Sequence, residues 1–342
     1  MIHGGEIYDK KIEYDFSVNL NPCPCPESVK QAIIKAADRT EYYPDIYQRS
    51  FRNAVAAAEN LKPENILGTN GASELLTSLI RFLDPEKVLL PEPSFFGYRH
   101  ALNMLKSCSV EPYCLAEDNE FILDEGILNK ITCETDALIL ANPNNPTGKC
   151  IDDPLLEDIV KKCADTGTAL IVDECFLKLS TSGVSIKRSI GEVPRIFIVD
   201  SYTKLFSLPG VRIGYCMAGE EDIRNLRQYL PEWNLSVFAE KAGIAGAEAL
   251  KNTDFLDDSL EIIQKERDEL YKGLQSTGVR YFGSDSVFIL IKSDKDLYNS
   301  LLKRGVLIRD CSNFNNISKG FFRIAVKDPE SNRALIQELK RI

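Results

Sequence analysis

The sequence predicts an α/β fold with a mainly parallel sheet, followed by a smaller α+β unit. Helical and strand patterns alternate over most of the chain, which is typical of βαβ units with right-handed crossovers. Three strand segments, at 138–141, 169–172 and 196–199, are apolar throughout, as expected of parallel strands that are covered on both faces. After Gly278 the pattern changes to strand–helix–strand, which indicates a compact second unit.

The elements follow one another with short connections. The first helix begins after Pro26, a residue that suits the first turn of a helix, and a long, largely helical region is expected at 220–275. Further helices are predicted at 27–37, 48–60, 71–82, 98–105, 153–165, 294–304 and 329–341. Strands are predicted at 87–90, 138–141, 169–172, 196–199, 213–217, 286–292, 306–309 and 321–326.

Composition and charge limit the possible partners. At 342 residues the chain is longer than one average domain. Its formal net charge of −10 argues against nucleic acid or an anionic membrane as a partner, and no apolar run approaches the length of a membrane span. The ten cysteines are scattered, and the two histidines, His3 and His100, are too far apart to anchor zinc. We therefore expect a cytoplasmic protein with reduced thiols and no metal site.

A lysine stands among phosphate-binding residue types at the end of one apolar strand. Residues 197–200 lead onto a turn with Ser201, Thr203 and Lys204, and Arg212 follows eight residues after the lysine. An amine can form a Schiff base with an aldehyde, and two hydroxyls with a guanidinium can hold a phosphate dianion. Pyridoxal 5′-phosphate carries both groups. Taken alone, this segment is equally consistent with a lysine on the surface. Binding of pyridoxal 5′-phosphate is therefore an interpretation that depends on two further motifs.

The first further motif is Ala-Asn-Pro-Asn-Asn-Pro-Thr-Gly at 141–148. Its two prolines and its glycine force a turn after a buried-strand pattern. Pro146 disfavours helical geometry at Asn145, which leaves the Asn145 amide free to project from the strand end towards a ligand. An ordinary strand-to-helix turn is the alternative.

The second is the pair Asp173 and Glu174, which ends the apolar run at 169–172. Ligands bind beyond the carboxyl ends of parallel strands. A carboxylate beside a pyridine nitrogen keeps that nitrogen protonated, and the protonated ring withdraws electrons from the substrate Cα. The alternative role for Asp173 is a helix N-cap.

The three motifs occur in the order Asn-Pro-Thr-Gly, Asp, Lys, with about 28 and 31 residues between them. In this combination the chain resembles the fold-type I pyridoxal-phosphate enzymes of the aspartate-aminotransferase superfamily over nearly its whole length. The resemblance implies pyridoxal 5′-phosphate as cofactor, a homodimer, and a large three-layer αβα domain with a small C-terminal α+β domain. The implied divisions are 1–40 for an N-terminal arm with part of the small domain, 41–245 for the large cofactor-binding domain, and 246–342 for the small domain.

The resemblance also implies roles for individual residues. Ala72 and Ser73 match the helix N-terminus that holds the cofactor phosphate, where backbone N–H groups bind anions, although a capping box would explain them too. Phe95 matches the aromatic ring that stacks on the pyridine, with core packing as its alternative. The implied cofactor contacts are Ala72, Ser73, Phe95, Asn145, Asp173, Ser201, Thr203, Lys204 and Arg212, together with Tyr43 of the neighbouring subunit. The implied substrate contacts are His3, Gly4, Asn19, Asn145, Arg309 and Arg323.

Arg323 lies within an apolar strand pattern, Phe-Phe-Arg-Ile-Ala. A basic residue in such a run is hard to explain as a surface residue. It matches the arginine that binds the substrate α-carboxylate, while Arg309, His3 and Asn19 are implied to hold a substrate phosphate. Lys204 and Asp173 are the implied catalytic pair.

Two families within the superfamily share these motifs, the histidinol-phosphate aminotransferases and the L-threonine-O-3-phosphate decarboxylases of cobalamin biosynthesis. Four features resemble the decarboxylases: His-Gly-Gly at 3–5, Asp-Phe-Ser-Val-Asn-Leu-Asn-Pro at 15–22, Phe176 where most aminotransferases have tyrosine, and Leu-Ile-Arg-Asp-Cys-Ser-Asn-Phe at 307–314. Asp310 instead matches the aminotransferases, and the residues after Trp233 differ from the decarboxylase pattern.

We favour decarboxylation of L-threonine O-3-phosphate to (R)-1-aminopropan-2-yl phosphate. The alternative is amino transfer between histidinol phosphate and 2-oxoglutarate, or a related class I/II transamination. Both reactions use the same residue types, and the orientation of the substrate decides which bond at Cα breaks. A cofactor-binding regulator or inactive relative is disfavoured because Lys204 is present.

Overall fold

The computed structural model describes residues 4–342. Its strands in chain order are β1 Tyr14–Asp15, β2 Ile66–Thr69, β3 Lys87–Glu92, β4 Ser109–Cys114, β5 Ala137–Ala141, β6 Ala169–Asp173, β7 Ile196–Asp200, β8 Gly214–Ala218, β9 Arg280–Tyr281, β10 Phe288–Lys292, β11 Val306–Leu307, β12 Arg309–Asp310 and β13 Phe321–Ala325. Its α-helices are α1 Glu27–Ala36, α2 Arg49–Glu59, α3 Ala72–Leu83, α4 Phe96–Leu102, α5 Asp153–Thr166, α6 Tyr202–Leu205, α7 Glu220–Leu226, α8 Val237–Asn252, α9 Phe255–Gln275, α10 Leu297–Leu302 and α11 Pro329–Leu339. Short 3₁₀ turns occupy Ala37–Arg39, Pro63–Asn65, Glu117–Asn119, Glu125–Asn129, Leu177–Leu179, Ile186–Ser189 and Arg227–Tyr229.

A seven-stranded sheet forms the centre, with strand order β2-β8-β7-β6-β5-β3-β4. Only β8 runs antiparallel to its neighbours in this sheet. Along β5 and β6 the buried side chains alternate between two hydrophobic cores: Leu138 and Leu170 belong to one, Ile139 and Ile171 to the other. Successive residues of a strand point to opposite faces, so both faces of the sheet are covered. The predicted α/β fold with a mainly parallel sheet is confirmed.

A second, four-stranded antiparallel sheet has the order β12-β13-β10-β9. The N-terminal segment reaches it, because β1 pairs with β11 in parallel and the amide of Ala325 donates to Phe16 O at 2.9 Å. The smaller α+β unit predicted after Gly278 is therefore present as a sheet with α10 and α11. The domain boundaries at residues 40 and 245 stay predictions.

The elements differ from the sequence prediction in places that have local causes. The helical region expected at 220–275 is three α-helices, because Pro231 cannot continue a helix and Thr253 is extended. The strand β4 was not predicted; it lies at the sheet edge, where Pro112 is tolerated. The single strand expected at 306–309 is two, which pair with different partners. Within residues 4–342, no helix combines the length and the apolar character that crossing a membrane requires.

Candidate active site

The carboxyl ends of β5, β6 and β7 border a cavity of about 230 Å³. Ligands of parallel sheets bind at this edge. The structure brings together at this cavity every predicted site residue that it describes except Tyr43, namely Gly4, Asn19, Ala72, Ser73, Phe95, Asn145, Asp173, Ser201, Thr203, Lys204, Arg212, Arg309 and Arg323. His3 lies outside the described residues.

Lys204 lies on the short helix α6, which directly follows β7. Ser201 caps this helix by accepting the Thr203 amide at 3.2 Å. Burial lowers the pKa of Lys204 to about 8, and the positive charges of Arg323 and Arg212 act in the same direction. More of this amine is therefore neutral near neutral pH than of an ordinary lysine, and the neutral form is the nucleophile.

Five residues form what we call the phosphate cup: Ala72, Ser73, Ser201, Thr203 and Arg212. Ala72 and Ser73 open α3, whose first amides are suited to an anion. The hydroxyl oxygens of Ser201 and Thr203 lie 2.6 Å apart. The cup offers backbone amides, hydroxyls and a guanidinium, the donor set that a phosphate dianion requires.

Gly71 is what allows Arg212 to enter this cup. Its φ is 78°, and an added Cβ would lie 2.6 Å from Arg212 Nη2. A side chain at position 71 would therefore displace the guanidinium as well as strain the backbone.

Asp173 ends β6 and is held by two donors. The Tyr98 hydroxyl donates to Asp173 Oδ2 at 2.8 Å, and the Cys175 amide donates to Oδ1 at 3.0 Å. Burial raises the pKa of Asp173, while these two hydrogen bonds oppose the shift by stabilising the carboxylate. Tyr98 also meets the Phe95 ring edge-on, with centroids 5.7 Å apart. One tyrosine thus supports both the carboxylate and the aromatic ring of the cavity.

Arg323 on β13 and Arg309 on β12 lie directly opposite each other in the four-stranded sheet. Arg323 donates to Asn145 Oδ1 at 2.5 Å and to Ser17 O at 2.8 Å, and its Nε is buried without a partner among residues 4–342. Burial lowers the pKa of Arg323 to about 10, and the charge of Arg309 adds to this effect. Like charges directly opposite each other destabilise a sheet, so the pair favours an anionic ligand.

The N-terminal segment, residues 4–19, borders one side of the cavity. Gly4 lines it beside Asn19, and the Gly5 amide donates to Ser17 Oγ at 2.8 Å. A Cβ added at Gly4 would lie 2.1 Å from Ser17 O, the same oxygen that accepts from Arg323. The segment therefore packs directly on the residues that hold Arg323.

A family model of class I and II aminotransferases matches residues 11–339. The chain belongs to the class I and II aminotransferase family. A protein of Caldanaerobacter subterraneus subsp. tengcongensis that carries the provisional name threonine-phosphate decarboxylase is 33% identical, with 99% of this chain and 93% of the relative covered. Threonine-phosphate decarboxylase of Salmonella typhimurium is 29% identical, with 96% and 90% covered. The solved histidinol-phosphate aminotransferase of Clostridium acetobutylicum superposes with a TM-score of 0.88 at 30% identity, with 96% and 98% covered.

Membership of this family identifies the cofactor as pyridoxal 5′-phosphate. The cavity of this aminotransferase-family chain fits it. The phosphate cup would supply donors for the phosphate, and the absent side chain of Gly71 leaves Arg212 its place in the cup. Lys204 would supply the amine and Asp173 a buried carboxylate; Asp173 ends β6, and Lys204 lies on α6, just after the neighbouring strand β7. When bound, the cofactor supplies an aldehyde for an amine and a ring that accepts the electron pair of the bond broken at Cα.

Tyr43 does not line the cavity of its own chain. Its ring is 81% exposed and lies 5.0 Å from the Trp233 ring, centroid to centroid. The reach of Tyr43 into a neighbouring subunit therefore stays a prediction.

Sequence reasoning missed several cavity residues, including Ser17, Val18, Phe96, Tyr98, Ala141, Pro143, Cys175 and Phe314. Tyr98 is the most informative of them because it bonds to Asp173. Its position three residues after Phe95 was a usable signal, since residues three apart on a helix share a face. Its partner, 75 residues away in the sequence, carried no such signal.

Proposed function

We propose that this chain decarboxylates L-threonine O-3-phosphate to (R)-1-aminopropan-2-yl phosphate, a step of cobalamin biosynthesis. The observation that carries the proposal is the N-terminal segment, in which Gly4 lines the cavity beside Asn19 and packs on Ser17. That segment is the part of the sequence that resembles the decarboxylases most specifically. The names of two relatives that align over nearly the whole chain support the same reaction.

For the cofactor, we propose that Lys204 provides the amine and that Asp173 faces the pyridine nitrogen. Phe95 and Asn145 would contact the ring, and the phosphate cup would hold the phosphate. The low pKa of Lys204 supports its role, because its neutral form is accessible near neutral pH. The hydrogen bonds from Tyr98 and Cys175 support the role of Asp173, because they stabilise its charged form.

For the substrate, we propose that Arg323 binds the carboxylate and that Arg309, Asn19 and the N-terminal segment with His3 bind the phosphate. Two buried arginines in register suit a substrate that has anionic groups at both ends. Fixing both ends sets which bond at Cα stands perpendicular to the cofactor ring. In decarboxylation the bond between Cα and the carboxylate would break to release CO₂, and the ammonium form of Lys204 would donate the proton that takes the place of the carboxylate at Cα.

Amino transfer with histidinol phosphate is the second candidate. The likeness to the Clostridium acetobutylicum aminotransferase supports it, and so does Asp310 after Arg309. In that reaction the neutral amine of Lys204 would remove the proton from Cα, and the carbon skeleton would stay intact.

Two parallel incubations separate the two reactions. The purified, cofactor-loaded protein is incubated with O-phospho-L-threonine carrying ¹⁴C at the carboxyl carbon. The proposal predicts release of labelled CO₂ and formation of one aminopropanol phosphate per CO₂. A parallel incubation with histidinol phosphate and 2-oxoglutarate is scored for glutamate. Glutamate formation without CO₂ release in the first incubation would establish the aminotransferase instead.

We also propose a symmetric homodimer in which Tyr43 reaches the phosphate cup of the partner. The exposure of Tyr43 supports this, together with the neighbouring exposed rings of Tyr42, Tyr47 and Trp233. Exposed aromatic clusters of this kind are common at protein interfaces.

A further inference from the structure

A cluster of buried charges lies outside the cavity lining and has no part in the reaction described above. It consists of Glu59 on α2, Lys178 on the turn after β6, Asp200 at the end of β7 and Tyr215 on β8. Glu59, Asp200 and Tyr215 are at most 2% exposed. We call these four residues the buried charge cluster.

The cluster is fully connected by hydrogen bonds. Lys178 Nζ lies 2.9 Å from Glu59 Oε1 and 2.5 Å from Asp200 Oδ2. The Tyr215 hydroxyl lies 2.7 Å from the same Glu59 oxygen and 2.8 Å from the same Asp200 oxygen. A phenol has one proton to donate, so Tyr215 can donate to only one of the two carboxylates at a time. Lys178 must then donate to the other carboxylate. Burial opposes ionisation of Glu59, but Lys178 and Lys187 hold its pKa below the ordinary value, so the Glu59 carboxylate is charged.

The cluster is joined directly to the phosphate cup. The second oxygen of Asp200 accepts the Ser201 amide at 2.6 Å. Ser201 in turn contacts Thr203 Oγ1 at 2.6 Å and donates to Ile213 O at 2.9 Å. Ile213 precedes β8, the strand that carries Tyr215, and follows Arg212. The segment that carries Ser201 and Thr203 therefore adjoins Asp200 of the cluster, and the segment that carries Arg212 leads into β8, which carries Tyr215 of the cluster.

Net stability is a weak explanation for such a cluster. Replacing a buried ion pair by well-packed apolar residues is often neutral or stabilising, because charges lose much of their hydration on burial. Directional bonds to a charged carboxylate do, however, restrict the position of the backbone attached to it.

We propose that Lys178, Tyr215 and Glu59 are positioning residues for the phosphate cup: by holding Asp200 they fix the turn that presents Ser201 and Thr203 to the cofactor phosphate. The inference rests on the proposed role of the cup. None of the three would touch the cofactor, and their effect would pass through Asp200 and the Ser201 amide.

The test compares two tyrosines that are in contact. Tyr215→Phe removes the bridging hydroxyl, whereas Tyr202→Phe removes the buried hydroxyl of a neighbouring ring, 5.1 Å away, that makes no hydrogen bond to Glu59, Lys178 or Asp200. For each apoprotein, dissociation constants are measured by absorbance for pyridoxal 5′-phosphate and for pyridoxal, which lacks the phosphate. We expect Tyr215→Phe to weaken binding of the phosphorylated cofactor roughly tenfold, about the value of one hydrogen bond to a charged group. Binding of pyridoxal should be unchanged, and Tyr202→Phe should alter neither constant.

Lys178→Met should act in the same direction, and Lys178→Arg should restore part of the affinity because it keeps the charge. Arg212→Ala tests the cup itself. Arg212→Ala could weaken binding of the phosphorylated cofactor while Tyr215→Phe changes its dissociation constant less than twofold. In that case the assignment of the phosphate cup is supported and the inference is wrong. The inference is equally wrong if Tyr215→Phe lowers only the unfolding temperature. If Arg212→Ala has no effect, the assignment of the cup fails, and the inference fails with it.

Discussion

Two lysines of this chain show how surroundings determine the pKa of a residue. Burial lowers the pKa of both side chains. At Lys178 the charges of Asp200 and Glu59 outweigh that effect and hold the pKa well above its usual value. At Lys204 the nearby arginines add to the effect of burial, and the pKa falls to about 8. Of these two lysines, Lys204 is therefore the one whose neutral, nucleophilic form is accessible near neutral pH.

Competitive acetylation of the apoprotein across a pH series should reveal this difference. The sign follows from the lowered pKa: Lys204 is protonated below about pH 8 and neutral above it. Its modification should rise through that pH, below the range in which an ordinary lysine becomes neutral, and Lys178 should stay unmodified. Peptide mass spectrometry gives the extent at each site, and Lys204→Ala identifies the peptide. A Lys204 that was modified only in the pH range of an ordinary lysine would contradict the proposed role.

The hydrogen bond from Tyr98 to Asp173 should matter for rate. Tyr98→Phe keeps the edge-on contact with Phe95 but removes the donor, so the pKa of Asp173 should rise further. A proton shared with the pyridine nitrogen would then move towards the carboxylate, and the ring would withdraw electrons less strongly. We expect kcat to fall roughly ten- to a hundredfold, the range for one hydrogen bond to a charged group.

The ¹⁵N chemical shift of labelled cofactor measures ring protonation independently of activity in Tyr98→Phe. Tyr271→Phe is the control, because its hydroxyl accepts the Ser284 amide at 2.8 Å, away from the cavity. It should leave both kcat and the ¹⁵N shift unchanged. A Tyr98→Phe variant with the parental ¹⁵N shift would show that Asp173 does not depend on Tyr98.

At the scale of elements, the start of α3 and the segment before β8 approach each other closely at Gly71. Gly71 combines φ 78° with ψ 167°, a region essentially reserved for glycine. It also makes room for Arg212, which has a φ of 59° itself. The phosphate cup is therefore built where two elements come closer than a side chain would permit.

Gly71→Ala should weaken binding of pyridoxal 5′-phosphate by at least tenfold, since one charge-assisted contact is displaced. The unfolding free energy should also fall, by about 1–3 kcal/mol, because of the backbone conformation. Gly167→Ala is the control: its φ is 75° and an added Cβ meets nothing within 4 Å. It should lower stability without changing cofactor affinity. Equal affinities for both variants would rule out the contact between position 71 and Arg212 as a determinant of binding.

At the scale of the whole molecule, the cavity draws on three separate regions. The large sheet contributes Asp173 and Lys204, the small sheet contributes Arg309 and Arg323, and the N-terminal segment contributes Gly4 and Asn19. The relative position of the two sheets thus sets the distance between cofactor and substrate contacts. The proposed dimer would add Tyr43 of the partner as a fourth contribution.

Subunit mixing tests that contribution. Lys204→Ala and Tyr43→Phe proteins, each weakly active or inactive alone, are unfolded together and refolded. In the mixed dimer one site would combine Lys204 of one subunit with Tyr43 of the other, both unmodified, so activity should exceed that of either parent. Activity no higher than that of the more active parent, or an active monomer in sedimentation, would exclude the crossing.

The order of Asn145, Asp173 and Lys204 after three apolar strands was sufficient to predict the sheet and to reveal the resemblance to the family, and that resemblance implied most of the other cavity residues. This was possible because the signal is local: a buried strand is recognisable by itself, and the ends of parallel strands meet at one edge. Arg323 was detectable for the same reason, as a charge inside an apolar run.

The remaining features depend on contacts between residues far apart in the sequence. Tyr98 and Asp173 are separated by 75 residues, and Glu59 and Tyr215 by 156. Charged residues such as Glu59 and Lys178 stand in segments that are equally compatible with a solvated surface, and only packing of α2 on the sheet buries them together. The order of residues along the chain specifies which chemistry is present, since strand ends and motif order are local properties. Which groups position that chemistry is specified only by the folded chain, because burial and hydrogen bonding arise from packing.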